Sequence, residues 1–151
     1  MEGGRSARRA IPTTMTGEAI KLGESQSLRI VASTPDALEL ESTWAPGGKP
    51  PPRHYHPHQD ERFEVLSGEL TVEVGSDPPR VLNPGDILEV PRGVAHLMWN
   101  AGAEPTQARW RITPALRTEE MFRFMSNGLS PQRIPAVLWT FRNEYRLALR
   151  R

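Results

Sequence analysis

Short apolar runs broken by glycine and proline turns dominate the chain from Leu28 to Thr113. Leu28-Arg29-Ile30-Val31 and Leu38 to Trp44 flank the turn-rich bridge Ser33-Thr34-Pro35-Asp36. Leu70, Val72 and Val74 alternate with Glu69, Thr71 and Glu73, the period-two pattern of a strand with one apolar and one polar face. Arg80 to Leu82, Ile87 to Val90 and Gln107 to Thr113 add further predicted strands. Gly68 joins the run Phe63 to Leu66 to the run Glu69 to Val74, where a tight hairpin needs positive φ. Asn83-Pro84-Gly85-Asp86 and Pro91-Arg92-Gly93 are further turns. Many short strands at this spacing predict an antiparallel sandwich or barrel.

After Pro114 the period changes. Thr118 is placed to cap a helix with Glu119 and Glu120 in its first turn and Asn127-Gly128 as its stop. Pro135 opens a second predicted helix, along which Leu138, Phe141, Tyr145 and Leu149 recur at helical spacing. Both helices are expected to pack on the outside of the sheet structure, with a lid or a dimer contact as the alternative. Met121, Phe122, Phe124 and Met125 are expected to pack and not to line a pocket. Residues 1–14 are small, polar and basic without periodicity, which predicts a disordered or arm-like leader.

Composition narrows the setting. The chain has 151 residues, enough for one domain with a core, and a formal net charge of +1 gives no global reason to bind nucleic acid or membrane. It contains no cysteine, which removes disulfides, thiolate ligands and a cysteine nucleophile. With no signal-like or spanning apolar run, the expected location is the cytoplasm.

The candidate chemistry lies in two blocks. The first runs from Gly48 through His54, His56 and Glu61 to Gly68; the second runs from Gly85 through Pro91, Gly93 and His96 to Asn100. In an extended strand His54 and His56 point to one face, so two imidazoles can reach one ion. Glu61 can return a carboxylate to the same centre from beyond the bend at Pro57, and His96 must come from another strand. Of the four histidines only His58 stands outside this set, and Pro57 interrupts its strand. Glu64 is an odd number of residues from Glu61 and should face away.

The two blocks resemble the cupin signatures G(X)5HXH(X)3-4E(X)6G and G(X)5PXG(X)2H(X)3N, with every fixed position filled. That resemblance implies an all-β fold: a single jelly-roll barrel or sandwich over residues 15–114, followed by two C-terminal helices in residues 115–151. It also implies one divalent metal ion on His54, His56, Glu61 and His96, iron first, with Mn, Ni, Zn or Cu as alternatives, and a homodimer. Counting by twos places Phe63 and Val65 with Glu61, and Met98 with His96, as substrate-pocket residues. Trp44, Trp99 and Trp110 lie close by, their facing unassigned.

The expected activity is a metal-dependent oxidoreductase or dioxygenase acting on an apolar or aromatic small molecule, with Glu61 as the catalytic carboxylate. A non-redox isomerase, lyase or cyclase, in which the ion acts as a Lewis acid, is the alternative. A non-catalytic ligand-binding barrel is the third reading, since fold alone does not choose among reactions.

Overall fold

The computed structural model describes residues 19–149, so the predicted leader over residues 1–14 lies outside the described residues. The chain runs through strands β1 (Ile20–Lys21), β2 (Gln26–Ser33), β3 (Leu38–Trp44), β4 (His54–Tyr55), β5 (Asp60–Ser67), β6 (Leu70–Val74), β7 (Arg80–Leu82), β8 (Ile87–Val90), β9 (His96–Trp99) and β10 (Thr106–Thr113). Helix α1 (Thr118–Ser126), a 3-10 turn (Pro131–Arg133), helix α2 (Ile134–Thr140) and strand β11 (Arg146–Leu147) follow.

The strands form two sheets, in the orders β1-β2-β3-β10-β5-β8 and β11-β4-β9-β6-β7. Every pairing is antiparallel. Together the sheets make the jelly-roll sandwich the sequence predicts.

Alternation decides what fills the space between them. On β3, Leu38, Leu40, Ser42 and Trp44 point inward; on β5, Glu61, Phe63 and Val65 do. Phe63, Val65, Leu70, Val72, Leu82 and Met98 belong to one buried cluster between the sheets. A second cluster joins Leu28, Leu38, Leu40 and Ile112 to Met121 and Phe122 of α1 and to Val137 and Phe141. The helices thus pack against their own barrel, each buried large apolar side chain contributing roughly 1.5–3 kcal/mol.

Gly68 has two reasons to be glycine. Its φ is +79°, and a β-carbon there would collide with the carbonyl oxygen of Pro105 and lie 2.8 Å from Thr106 Cα. Gly68→Ala should therefore cost more than the ~1 kcal/mol of a left-handed alanine alone. Equilibrium denaturation would read it as a lower midpoint at unchanged slope.

Three sequence expectations are corrected after Pro114. Thr118 does not cap α1: it is the first helical residue, no side-chain cap is made, and its hydroxyl accepts from Gln59 Nε2 at 2.8 Å. The second helix is short, ending at Thr140, and Tyr145 and Leu149 are not on it. The chain turns so that Phe141 is buried, and Arg146–Leu147 then adds to the sheet beside Tyr55 and His54. Leu149 is 89% exposed. Tertiary strand pairing wins here over helical spacing.

Candidate metal centre

The centre is assembled across the sandwich. His54 lies directly opposite His96 in the β4–β9 pair, so the pairing register puts two imidazoles side by side. His56 follows just beyond β4, at the bend that Pro57 makes. Glu61 comes from β5 in the opposite sheet. One nitrogen from each of His54, His56 and His96 falls within 4.8 Å of the others. Glu61 Oε2 lies 3.2 Å from His56 Nε2, and Glu61 Oε1 lies 2.9 Å from His96 Nε2. All four predicted ligand residues meet at one point.

The orientation of the rings is set from behind. Each Nδ1 faces a backbone carbonyl: Pro52 O at 3.2 Å for His54, Glu144 O at 2.7 Å for His56, and Val94 O at 3.0 Å for His96. A carbonyl only accepts, so every Nδ1 carries a proton and Nε2 points inward, with a lone pair there whenever the ring is neutral. The Glu61 carboxylate is aimed in turn by Trp110, whose indole N–H donates to Oε2 at 3.0 Å.

Lone pairs facing carboxylate lone pairs need a cation between them. Two buried atoms at this point, His56 Nε2 and Glu61 Oε1, have no hydrogen-bond partner among the described residues. Protonating an imidazole answers the problem one residue at a time; a divalent ion answers it for all four. The donor set, three imidazoles and a carboxylate, suits first-row divalent metals.

Electrostatics sort the four groups. Burial, with His96 and His56 close by, lowers His54 to about 3, so it stays neutral. Burial would lower His56 too, but the Glu61 carboxylate outweighs it and raises His56 above its ordinary value. Burial alone would raise Glu61; the His56 and His96 imidazoles reverse that and hold it well below the usual carboxylate range.

A cavity of about 360 Å³ opens onto the cluster, within the usual range for small-molecule sites. Phe63 and Met98 line it as expected from strand parity. Val65 does not: it sits one further step along β5, sealed in the core cluster below. Trp44 and Trp110 also line the wall, and Trp99 does not. Met121, Phe122 and Met125 of α1 form part of the wall, contrary to the expectation that they would only pack. His58 is exposed, and Glu64 lies 4.0 Å from Arg109 on the outer face.

Two contributors escaped the sequence reading: Tyr145, which comes from a distant segment, and Gln59, which a distant segment buries. Tyr145 stacks on His54, with ring centroids 4.7 Å apart and planes 19° apart, and burial raises its hydroxyl to about 12. Gln59 shares the inward face with Glu61 and Phe63, and its period-two spacing from Glu61 was the available signal.

Residues 40–110 match the family profile described as the cupin domain, so this part of the chain is a cupin domain. Among curated proteins it is 46% identical over 54 residues to an oxidoreductase of Arthrobotrys oligospora, covering 34% of this chain and 21% of that protein. It is 32% identical over 109 residues to germin-like protein 5-1 of Oryza sativa subsp. japonica, covering 68% of this chain and 44% of that one. These matches thus span less than half the length of either relative. An RmlC-like cupin from Shewanella frigidimarina superposes with a TM-score of 0.60 at 19% identity, over 68% of this chain and 88% of that one, which shows the fold.

Proposed function

We propose that this cupin is a metal-dependent oxidoreductase, of dioxygenase type, acting on an apolar or aromatic small molecule. One observation carries the metal: three Nε2 lone pairs and a buried carboxylate converge where two of those atoms lack any other partner. The apolar cavity wall and the oxidoreductase name of one relative support the rest. A redox-active divalent ion, iron first, would supply electron transfer and a common meeting point for oxidant and substrate.

The protein's own groups have separate tasks. His54, His56 and His96 are held with Nε2 turned inward by the carbonyls behind them. Glu61 completes the set and, among the described residues, is the carboxylate placed to take a proton from a substrate, while Trp110 keeps it aimed. Phe63, Met98, Met121 and Phe122 exclude water from the cluster. A homodimer in the cytoplasm completes the proposal; the cysteine-free sequence suits a reducing compartment.

Metal analysis of protein purified without added metal or chelator tests the reading. Near-stoichiometric iron supports oxidation, and oxygen-consumption screening follows. Zinc, or nickel without oxygen consumption, would move the assignment to Lewis-acid isomerase or lyase chemistry. Trace metal throughout would leave a ligand-binding barrel.

The affinity should also depend on pH with a definite sign. His54 is already neutral across the working range, whereas His56, raised by Glu61, must lose a proton to bind an ion. Affinity should therefore be flat above the raised His56 value and fall about tenfold per pH unit below it. Chelator competition between pH 5 and pH 8 reads this directly; an affinity indifferent to pH would contradict the ligand role of His56.

A further inference from the structure

Helix α1 begins without a cap of its own, since no side-chain cap is made by the residue at its cap position, Arg117. The first amides of a helix have no partner within it, and a start packed into the protein must find one elsewhere. Glu144, 27 positions further along, supplies it: its Oε2 accepts from the backbone N–H of Arg117 at 3.0 Å. A carboxylate at that end also meets the positive pole of the helix. The Arg117 guanidinium reaches back toward the same segment, 4.9 Å from the centroid of the Phe141 ring.

Glu144 is tied on its other side as well. It is 4% exposed, and its backbone carbonyl accepts from His56 Nδ1 at 2.7 Å, the shortest of the three carbonyl contacts behind the histidines. Its own N–H donates to Phe141 O at 2.9 Å, and beyond it the Ala148 N–H donates to Arg53 O at 2.9 Å. The turn between α2 and β11 is thus anchored by Phe141 in front, by β4 behind and, through the carboxylate, by the start of α1. A backbone carbonyl has no torsion of its own and points where its turn is held. Loss of the carboxylate contact would free the turn on the side facing α1, and the His56 acceptor with it.

We propose that Glu144 is a positioning residue for His56: its carboxylate, docked on the start of α1, holds the turn whose carbonyl keeps the imidazole oriented. Glu144 is then a joint between two parts of the site, because α1 also carries Met121, Phe122 and Met125 of the cavity wall. What seats the wall also seats a ring of the histidine cluster. The link to His56 stands on the contacts just given; its effect on metal affinity rests on the metal reading above.

Two variants separate the hydrogen bond from the bulk that carries it. Glu144→Met keeps the volume and loses the acceptor, whereas Glu144→Gln keeps a carboxamide oxygen for the Arg117 N–H. The His56 Nδ1–H proton is followed by nitrogen-edited NMR in metal-free protein. Its signal should persist in the wild type and in Glu144→Gln, and be lost to exchange with water in folded Glu144→Met. Zinc affinity, by chelator competition, should fall at least about tenfold in Glu144→Met and stay within about threefold in Glu144→Gln. A merely structural role would lower the melting temperature without moving the Nδ1–H signal. If Glu144→Met does not fold, the metal-free wild type decides: the Arg117 amide and the His56 Nδ1–H should share one opening, with hydrogen-exchange protection within about threefold of each other, and a larger gap overturns the proposal. So would a signal absent from the wild type, unchanged in folded Glu144→Met, or lost in Glu144→Gln as well. A signal lost only in Glu144→Met while no form binds zinc keeps the positioning role and sinks the metal centre. Zinc held equally by all three forms, with the signal unchanged, spares the metal centre and sinks the positioning role.

Discussion

Alanine at His96 should leave the protein with bound metal near background, an affinity loss of roughly 100-fold or more, since losing even a supporting contact behind a ligand costs 10–100-fold. His96 sits at the middle of its sheet, paired to His54 on one side and Val74 on the other, and is 1% exposed. The same change should destabilise the metal-free protein. Glu61 has a side chain 1% exposed and loses the Nε2 that lies 2.9 Å from Oε1. A buried carboxylate deprived of its partner costs on the order of 3–5 kcal/mol unless it takes up a proton. Metal content by mass spectrometry and thermal melting of chelated protein separate the two effects. Full metal occupancy in His96→Ala would remove this residue from the centre.

Phe63→Ala should cost about 3–5 kcal/mol, the usual range for deleting a buried ring, and lower the melting temperature by roughly 10 °C or more. Phe63 is 1% exposed and stacks on Trp110, the residue whose indole N–H aims Glu61. The void would therefore loosen the carboxylate as well as the core. Phe63→Leu should recover most of the stability but less of the metal affinity, because it restores volume without the flat support for the indole. If both variants held metal as the wild type does, the chain of support from Phe63 through Trp110 to Glu61 would carry no functional weight.

The strands and the ligands were legible because one rule generates both. Period-two alternation gives Leu70, Val72 and Val74 their inward face, and it places Glu61, Phe63 and Val65 together on β5. The same rule could not tell how far along β5 the cavity ends, which is why Val65 was assigned to it and belongs to the core. Helical periodicity was a weaker guide. Phe141 and Tyr145 sit at helical spacing, yet Phe141 fills the gap between α1 and β3, and Tyr145 lies over His54 because the following residues pair with β4. Nothing local marks that pairing, which involves two residues 91 positions or more from their partners, as the register Arg146 to Tyr55 shows. Gln59 was missed for another reason. A glutamine in a turn is ordinarily solvent-facing, and only the arrival of the 114–118 segment buries it.

The carbonyl that fixes His56 belongs to Glu144, 88 positions further along the chain. During synthesis on a ribosome, both signature blocks emerge well before that carbonyl does, so His54, His56, Glu61 and His96 exist as a chain segment before His56 has its final orientation. Any ion captured at that stage would meet a ring free to rotate and be held less firmly. Selection among competing metals would then wait until the segment carrying Glu144 has folded back, when the fully formed pocket, and not the nascent chain, would choose the occupant.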